Sequence, residues 1–338
     1  MSSKKKVVVI GGGTGTFTVL SGLKKFSNLE LSVIVSMMDS GGSNRIIRDE
    51  FGLLPTSDLR QCLVALSSEK PGEIVRNLFT YRFNQGTGIA GMTFGNLFMA
   101  ALTDIYGSQE IAIQKTSEFL DVQGNIVPVT YDNAQLVARY TNGRQVLGEH
   151  LIDEPTDSEN NGLRIVELDT IPKARANKKA IEEIKAADLI ILGPGDLYTS
   201  ILSNLVVEGI PEAINKSKAK VLYVMNLVTK FNETNGFKAS DFIHEIEKYT
   251  KAGRVNICLL HKDGDFPKKV IKRYKEENAF PVLDDLPAGR QDLHGFQVVR
   301  KNLVADTIFE KDKADKLHRS LIRHDSDKLA RLIVALIK

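Results

Sequence analysis

The segment Val7-Val8-Val9-Ile10-Gly11-Gly12-Gly13-Thr14-Gly15-Thr16 constrains this chain more than any other. A short apolar, β-branched run ends abruptly in glycines, and Phe17, Leu20, Leu23 and Phe26 then recur at helical spacing. The pattern predicts a buried strand, a tight turn and a helix. Glycine lets the backbone turn sharply and come close to a phosphate. The first N–H groups of the helix then point at the anion, assisted by the helix dipole. The turn matches neither common nucleotide fingerprint. A dinucleotide pattern starting at Gly11 needs glycine where Thr16 stands, and a P-loop needs lysine there. The competing reading is a ligand-free strand-to-helix turn, but four glycines between Gly11 and Gly15 exceed what a turn requires.

The same rhythm recurs along the chain. Leu31 to Met38 reads as a second strand, and Ser57 as the N-cap of a helix carrying Leu59, Leu63 and Leu66 on its apolar face. Helical stretches are predicted over 72–83, 96–106 and 109–120, and a strand over 125–130. Further strands fall at Asp188 to Leu192, Val221 to Met225 and Val255 to Leu260. A closing helix from about Asp325 carries Leu329, Leu332, Ile333 and Leu336. Repeated strand, glycine turn and helix imply an α/β fold with a largely parallel, doubly wound sheet. The middle breaks the rhythm. Ala134 to Tyr140 and Gln145 to Ile152 are joined through Asn142-Gly143, which predicts a β-hairpin with a type I′ turn. The polar stretch 153–162 reads as an exposed loop.

In an open parallel sheet, ligands sit outside the carboxyl ends of the strands, so the loops that follow strands are the place to look. Asp39-Ser40-Gly41-Gly42-Ser43 follows the second strand. Asp39 suits a ribose hydroxyl or a divalent metal, and equally a turn residue that bonds its own backbone. Ser43 is placed to cap the next helix. Thr93-Phe94-Gly95-Asn96 and Gly193-Pro194-Gly195-Asp196 are two more small-residue turns at helix starts, the latter bringing Thr199 and Ser200 to the same rim. No Ser-His-Asp spacing or metal-binding cysteine or histidine motif competes, and His244 and His318 read as surface or helix-face residues. The net charge of +3 argues for neither a nucleic-acid nor a membrane partner. With no apolar run of about 18 residues, no membrane span is expected. Cys62 and Cys258, each in an apolar stretch, read as reduced thiols of a cytoplasmic protein.

The ordered series GGGTGT, MDSGGSNRIIRDEFG, SDLRQCLVALS, TFGNLFMAALT, LGPGDLYTSILSNL, VMNLVT and IRHDSDKLA spans almost the whole chain. It resembles the gluconeogenesis-factor (YvcK-type) branch of the CofD-like superfamily, which takes its name from 2-phospho-L-lactate transferase. That enzyme moves a phospholactyl group from a guanylylated donor onto a deazaflavin coenzyme precursor. The resemblance implies a three-layer α/β/α, Rossmann-like domain over residues 1–338, with the hairpin inserted at about 134–152. Proteins of this branch look like cytoplasmic binders of nucleotides or UDP-sugars, linked to carbon-source-dependent cell shape and envelope synthesis. Carried over residue by residue, Gly11, Gly12, Gly13, Thr14 and Gly15 fall at the diphosphate, and Asp39, Gly41, Gly42 and Ser43 beside the ribose or a metal. Asn96, Gly193, Gly195, Thr199, Ser200 and Asn226 line the same crevice, and Arg323 supplies a cation to the ligand.

This chain departs from the pattern in two places. Ser40 stands where both branches commonly carry a second acid, which weakens an Mg2+ site at Asp39. Arg45 replaces a small residue. Both departures favour ligand binding over catalysis. The sequence therefore leads to a nucleotide- or nucleotide-sugar-binding regulatory protein. An Mg2+-dependent transferase acting on a nucleoside-diphosphate donor comes second, and an NAD-binding oxidoreductase third. A homo-oligomer is compatible with the sequence, which leaves the oligomeric state open.

Overall fold

The strands named above assemble around the first of them. β1 (Lys5–Gly11), β2 (Leu29–Val35), β3 (Asn125–Pro128), β7 (Leu189–Leu192), β8 (Lys220–Val224), β9 (Ile257–His261) and β10 (Gln297–Lys301) form one sheet of order β10-β9-β8-β7-β1-β2-β3. Every pairing in it is parallel. The computed structural model describes residues 4–68, 72–155, 162–262, 266, 268–287, 296–306 and 321–337. A parallel sheet is covered on both faces, so its strands read as unbroken apolar runs rather than alternating ones. Val7 to Ile10 and Ile190 to Leu192 are accordingly buried throughout. That is why these strands were visible in the sequence.

Strand order also places the site. From β1 the chain moves outward through β2 to β3, whereas from β7 it moves the opposite way through β8 and β9 to β10. The order reverses between β1 and β7, and the loops leaving those two strands must part there, opening a crevice at the carboxyl edge. Helix α1 (Gly13–Leu23) returns from that edge and packs on the closing helix Ser326–Ile337, close enough that a side chain at Gly22 would overlap the Ser326 carbonyl. Asp325 caps this last helix, its Oδ1 accepting from the N–H groups of Asp327 and Lys328 at 3.0 and 2.8 Å.

The insertion is larger than a hairpin. β4 (Gln135–Tyr140) pairs antiparallel with β5 (Gln145–Leu147) on one side and with β6 (Ile165–Ile171) on the other. β6 escapes sequence reading because IVELDTI mixes apolar and charged residues without strict alternation. The predicted second strand stops at Leu147, and Glu149–Asp153 is a short helix. The turn is not type I′, which needs positive φ at both central residues. Only Gly143 is left-handed, at φ 83°, while Asn142 is not. Gly143 N–H donates to the Tyr140 carbonyl and Tyr140 N–H to that of Arg144, the pattern of a three-residue loop with a bulge at glycine. Of the predicted exposed loop, residues 156–161 lie outside the described residues, and Asp153 faces the site described next.

Candidate functional site

At the carboxyl edge the diverging loops enclose a cleft of about 1280 Å³. Gly12, Gly13, Thr14 and Gly15 after β1, Asp39 and Gly41 to Ser43 after β2, and Pro194 to Asp196 with Thr199 and Ser200 after β7 all line it. Asn226, just beyond β8, lines it too and ties two loops together, its Nδ2 donating to the Gly195 carbonyl at 2.7 Å.

The glycines of the first turn act differently from one another. Gly13 has φ +64° with open space where a Cβ would be, so its backbone conformation is what demands glycine. A Cβ at Gly15 would instead overlap the Pro194 carbonyl, so Gly15 lets the two turns touch. A Cβ at Gly12 would meet the Asp58 carboxylate. Gly11 and Gly193 lie below the cleft surface, against Thr16 and against Ile201 and the Val224 carbonyl.

Helix starts at the cleft carry no side-chain cap. Gly12 precedes α1, Gly41 precedes the helix Gly42–Phe51, and Asp196 precedes the π-helical turn Leu197–Leu202; none of the three caps through its side chain. The first N–H groups of a helix have no intrahelical acceptor, so an uncapped start is suited to an external anion. Elsewhere Thr93, Ser108 and Asn177 cap their helices through side-chain oxygens. Two predicted caps are thereby corrected. Ser43 does not cap its helix, because the chain reaches helical geometry two residues earlier, after Gly41. Ser57 is the first helical residue after the N-cap Thr56, and it is Asn44 Oδ1 that accepts from the N–H groups of both.

Asn96 supports the cleft from beneath and does not line it. It is fully buried, its Nδ2 donating to the Ser43 and Ser57 hydroxyls at 3.0 and 3.1 Å. Arg60 Nε donates back to Asn96 Oδ1 at 3.2 Å. Asp39 has the geometry of the turn reading: Oδ1 accepts from Gly41 N–H at 2.9 Å and Oδ2 from Asn44 Nδ2 at 2.5 Å. Ser40 does not line the cleft. Its hydroxyl accepts from His150 N–H at 3.0 Å and so fastens the short helix of the insert. Asp39 and Ser40 together thus offer a poor seat for Mg2+, which takes carboxylate oxygens along with phosphate oxygens.

That short helix adds a wall the sequence did not reveal. Glu149 at its start and Asp153 at its end both line the cleft, and Glu149 Oε2 accepts from Ser40 N–H at 3.3 Å. Burial and the neighbouring Asp39 and Asp153 push the Glu149 carboxyl well above its usual range. Burial raises Asp39 as well, against the lowering effect of its two hydrogen bonds. Thr199 does not face the ligand space alone, since its hydroxyl donates to Asp153 Oδ1 at 3.2 Å. Opposite stands Lys230, which pairs with Asp153, with Asp196 Oδ2 at 2.9 Å and with Glu233 Oε1 at 3.0 Å. Burial opposes its charge, but these three carboxylates outweigh that and hold the ammonium above its usual range. Burial pushes Glu233 up to about 8. Only the contacts reveal this group; Lys230 and Glu233 sit in a sequence stretch with no recognisable spacing.

Arg323 lines the cleft together with Ile322 and His324. Its segment is held from two sides: Tyr274 Oη accepts from the N–H groups of Leu321 and Ile322, and Ala305 N–H donates to the Arg323 carbonyl. His324 is buried, and burial together with His261 pushes its imidazole down to about 4, so it is neutral near pH 7. Among the described residues no helix is long and apolar enough to cross a membrane.

The whole arrangement has relatives. A family model described as 2-phospho-L-lactate transferase CofD matches residues 7–304. A putative gluconeogenesis factor of Aquifex aeolicus is 39% identical over 99% of this chain and 97% of its own length. The gluconeogenesis factor of Bacillus subtilis is 35% identical, with 100% of each chain covered. A crystal structure of a UPF0052-family protein from Bacillus halodurans superposes with a TM-score of 0.86 at 33% identity, covering 99% of this chain and 100% of that one. This chain belongs to the CofD family and stands among its gluconeogenesis factors.

Proposed function

We propose that the cleft binds a nucleotide-type ligand, a UDP-sugar in the leading case, and that the protein is a cytoplasmic regulator of carbon metabolism and envelope synthesis rather than a catalyst. The observation that carries this reading is the convergence of uncapped helix starts from three glycine turns on one cleft. Backbone N–H groups of that kind suit a diphosphate, with the Gly12 to Gly15 turn and Gly195 side by side on one wall of the cleft. A volume near 1280 Å³ exceeds the few hundred Å³ that a small ligand fills and leaves room for a nucleoside and a sugar on either side of the phosphates. Arg323 would pair with a phosphate through its planar fork.

A second reading is favoured by one finding, the match to the transferase that names the family. In that reading the first turn and a divalent ion stabilise charge developing on a nucleoside-diphosphate donor. Asp39 is then the metal ligand, a role its two intraloop hydrogen bonds disfavour. Thr16, in place of the fingerprint glycine, keeps an NAD enzyme third.

The test is a thermal-shift screen of nucleotides and nucleotide sugars with and without Mg2+. A ligand at about a hundredfold excess over its dissociation constant stabilises by about 2.7 kcal/mol. A shift with UDP-sugars that is unchanged by chelation supports the binding protein. A shift, or turnover, that requires Mg2+ moves the transferase ahead.

A further inference from the structure

The cleft gathers more negative charge than a phosphate site needs. Asp153 from the insert, Asp196 from the turn after β7 and Glu233 from the loop after β8 bring carboxylate oxygens within 4.8 Å of one another. Three carboxylates at that spacing repel, and a partly buried setting screens them weakly. What reconciles them is one ammonium. Lys230 Nζ donates to Asp153 and, at 2.9 Å, to Asp196, and it lies 3.0 Å from Glu233 Oε1. Glu233 is the deepest of the three, with its side chain 1% exposed, neither oxygen hydrogen-bonded, and Oε1 facing the ammonium. The three acids belong to three separate segments, so the contact that neutralises them also ties those segments together.

We infer that Lys230 is a built-in cation that fastens the β4–β6 insert to the phosphate-turn edge of the sheet, standing where a divalent ion would otherwise sit among the same three carboxylates. An ammonium has three donors and no acceptor; two of them go to Asp153 and Asp196, and the same group lies beside Glu233 Oε1. Being tethered, it holds the clamp closed whatever the Mg2+ concentration. Removing its charge while keeping its bulk, as in Lys230→Gln, leaves three clustered acids without a counter-ion. Clustered carboxylate oxygens, completed by water, are the donor set of hard divalent cations. The consequence for ligand affinity rests on the binding reading above; the consequence for metal binding does not.

The experiment is a Mn2+ titration followed by electron paramagnetic resonance on the full chain, comparing wild type, Lys230→Gln and Lys230→Gln/Asp196→Asn. The single variant should bind one more Mn2+ than the wild type, and the double variant should lose it. With EDTA present, Lys230→Gln should bind a UDP-sugar about tenfold more weakly than the wild type, and Mn2+ should restore it. Equal Mn2+ counts in wild type and Lys230→Gln overturn the inference. So does a Lys230→Gln protein that fails to fold even with Mn2+, because the ion should rebuild the clamp. The Mn2+ count involves no nucleotide, so a chain that binds no UDP-sugar would end the ligand reading and leave this test standing.

Discussion

The two walls of the cleft are built from opposite materials. One is mainly main chain: Gly12 to Gly15 and Gly195 present backbone at the switch point between β1 and β7, with the Asp58 carboxylate beside Gly12. The other is side chain: Glu149, Asp153, Asp196 and Lys230 form a charged lattice contributed largely by the insert and the loop after β8. The first wall suits an anion and the second, taken alone, repels one. Under the proposed function the difference separates what would hold phosphate from what would close and orient the cleft, and it gives each wall its own mutational signature.

The largest effect is expected on the backbone wall. Gly15→Val drives a side chain into the Pro194 carbonyl, so it should destabilise the fold by about 2–3 kcal/mol and abolish nucleotide binding. Gly13→Ala has open space and carries only the left-handed φ, so it should cost about 1–2 kcal/mol and leave a folded protein with weakened binding. Denaturant unfolding and calorimetric titration of both separate the two roles. If the two variants behave alike, the distinction between contact and conformation at this turn is wrong.

Next comes Arg323. A charge-assisted hydrogen bond contributes about 1.5–3 kcal/mol, so Arg323→Ala should weaken binding by roughly tenfold to a hundredfold while ligand-free unfolding shifts far less. Equal dissociation constants would make Arg323 part of the scaffold.

The contrast between the walls also explains what the sequence could reveal. A buried parallel strand followed by a glycine turn is a local signal, so β1, β7 and both turns were readable from a dozen residues each. The floor is partly readable: the Thr93-Phe94-Gly95-Asn96 turn marks Asn96, but its place beneath Ser43 and Ser57 depends on helix packing. The charged wall was not readable. Asp153 and Lys230 are 77 residues apart, and nothing in either neighbourhood announces the other. The same holds for β6, whose partner β4 is joined to it through segments of no marked periodicity. Asp39 shows the limit from the other side, since metal ligand and turn residue call for the same amino acid in the same loop.

On the charged wall the next effect is one of pH. Glu233 has a usual value of 4.5 and is pushed up to about 8 in the fold. Between those values the folded protein keeps a proton that the unfolded chain has released, so this group makes stability fall as pH rises through that window. Glu233→Gln should remove up to about 1.4 kcal/mol per pH unit from that slope. Unfolding midpoints of wild type and variant from pH 5 to 8 decide it, and parallel curves would contradict the assignment. The smallest effect is that of Mg2+: because Asp39 is engaged within its own loop, chelation should change UDP-sugar affinity by less than about twofold. Ser40→Asp should leave that result unchanged, since position 40 faces His150 and not the cleft.

The central claim is that the backbone wall holds the ligand's diphosphate, and amide NMR during a UDP-sugar titration tests it most directly. The account predicts that the amides of Gly12, Gly13, Gly15 and Gly195 shift together, with the midpoint measured by calorimetry. Saturable binding that leaves these four amides unmoved would contradict it.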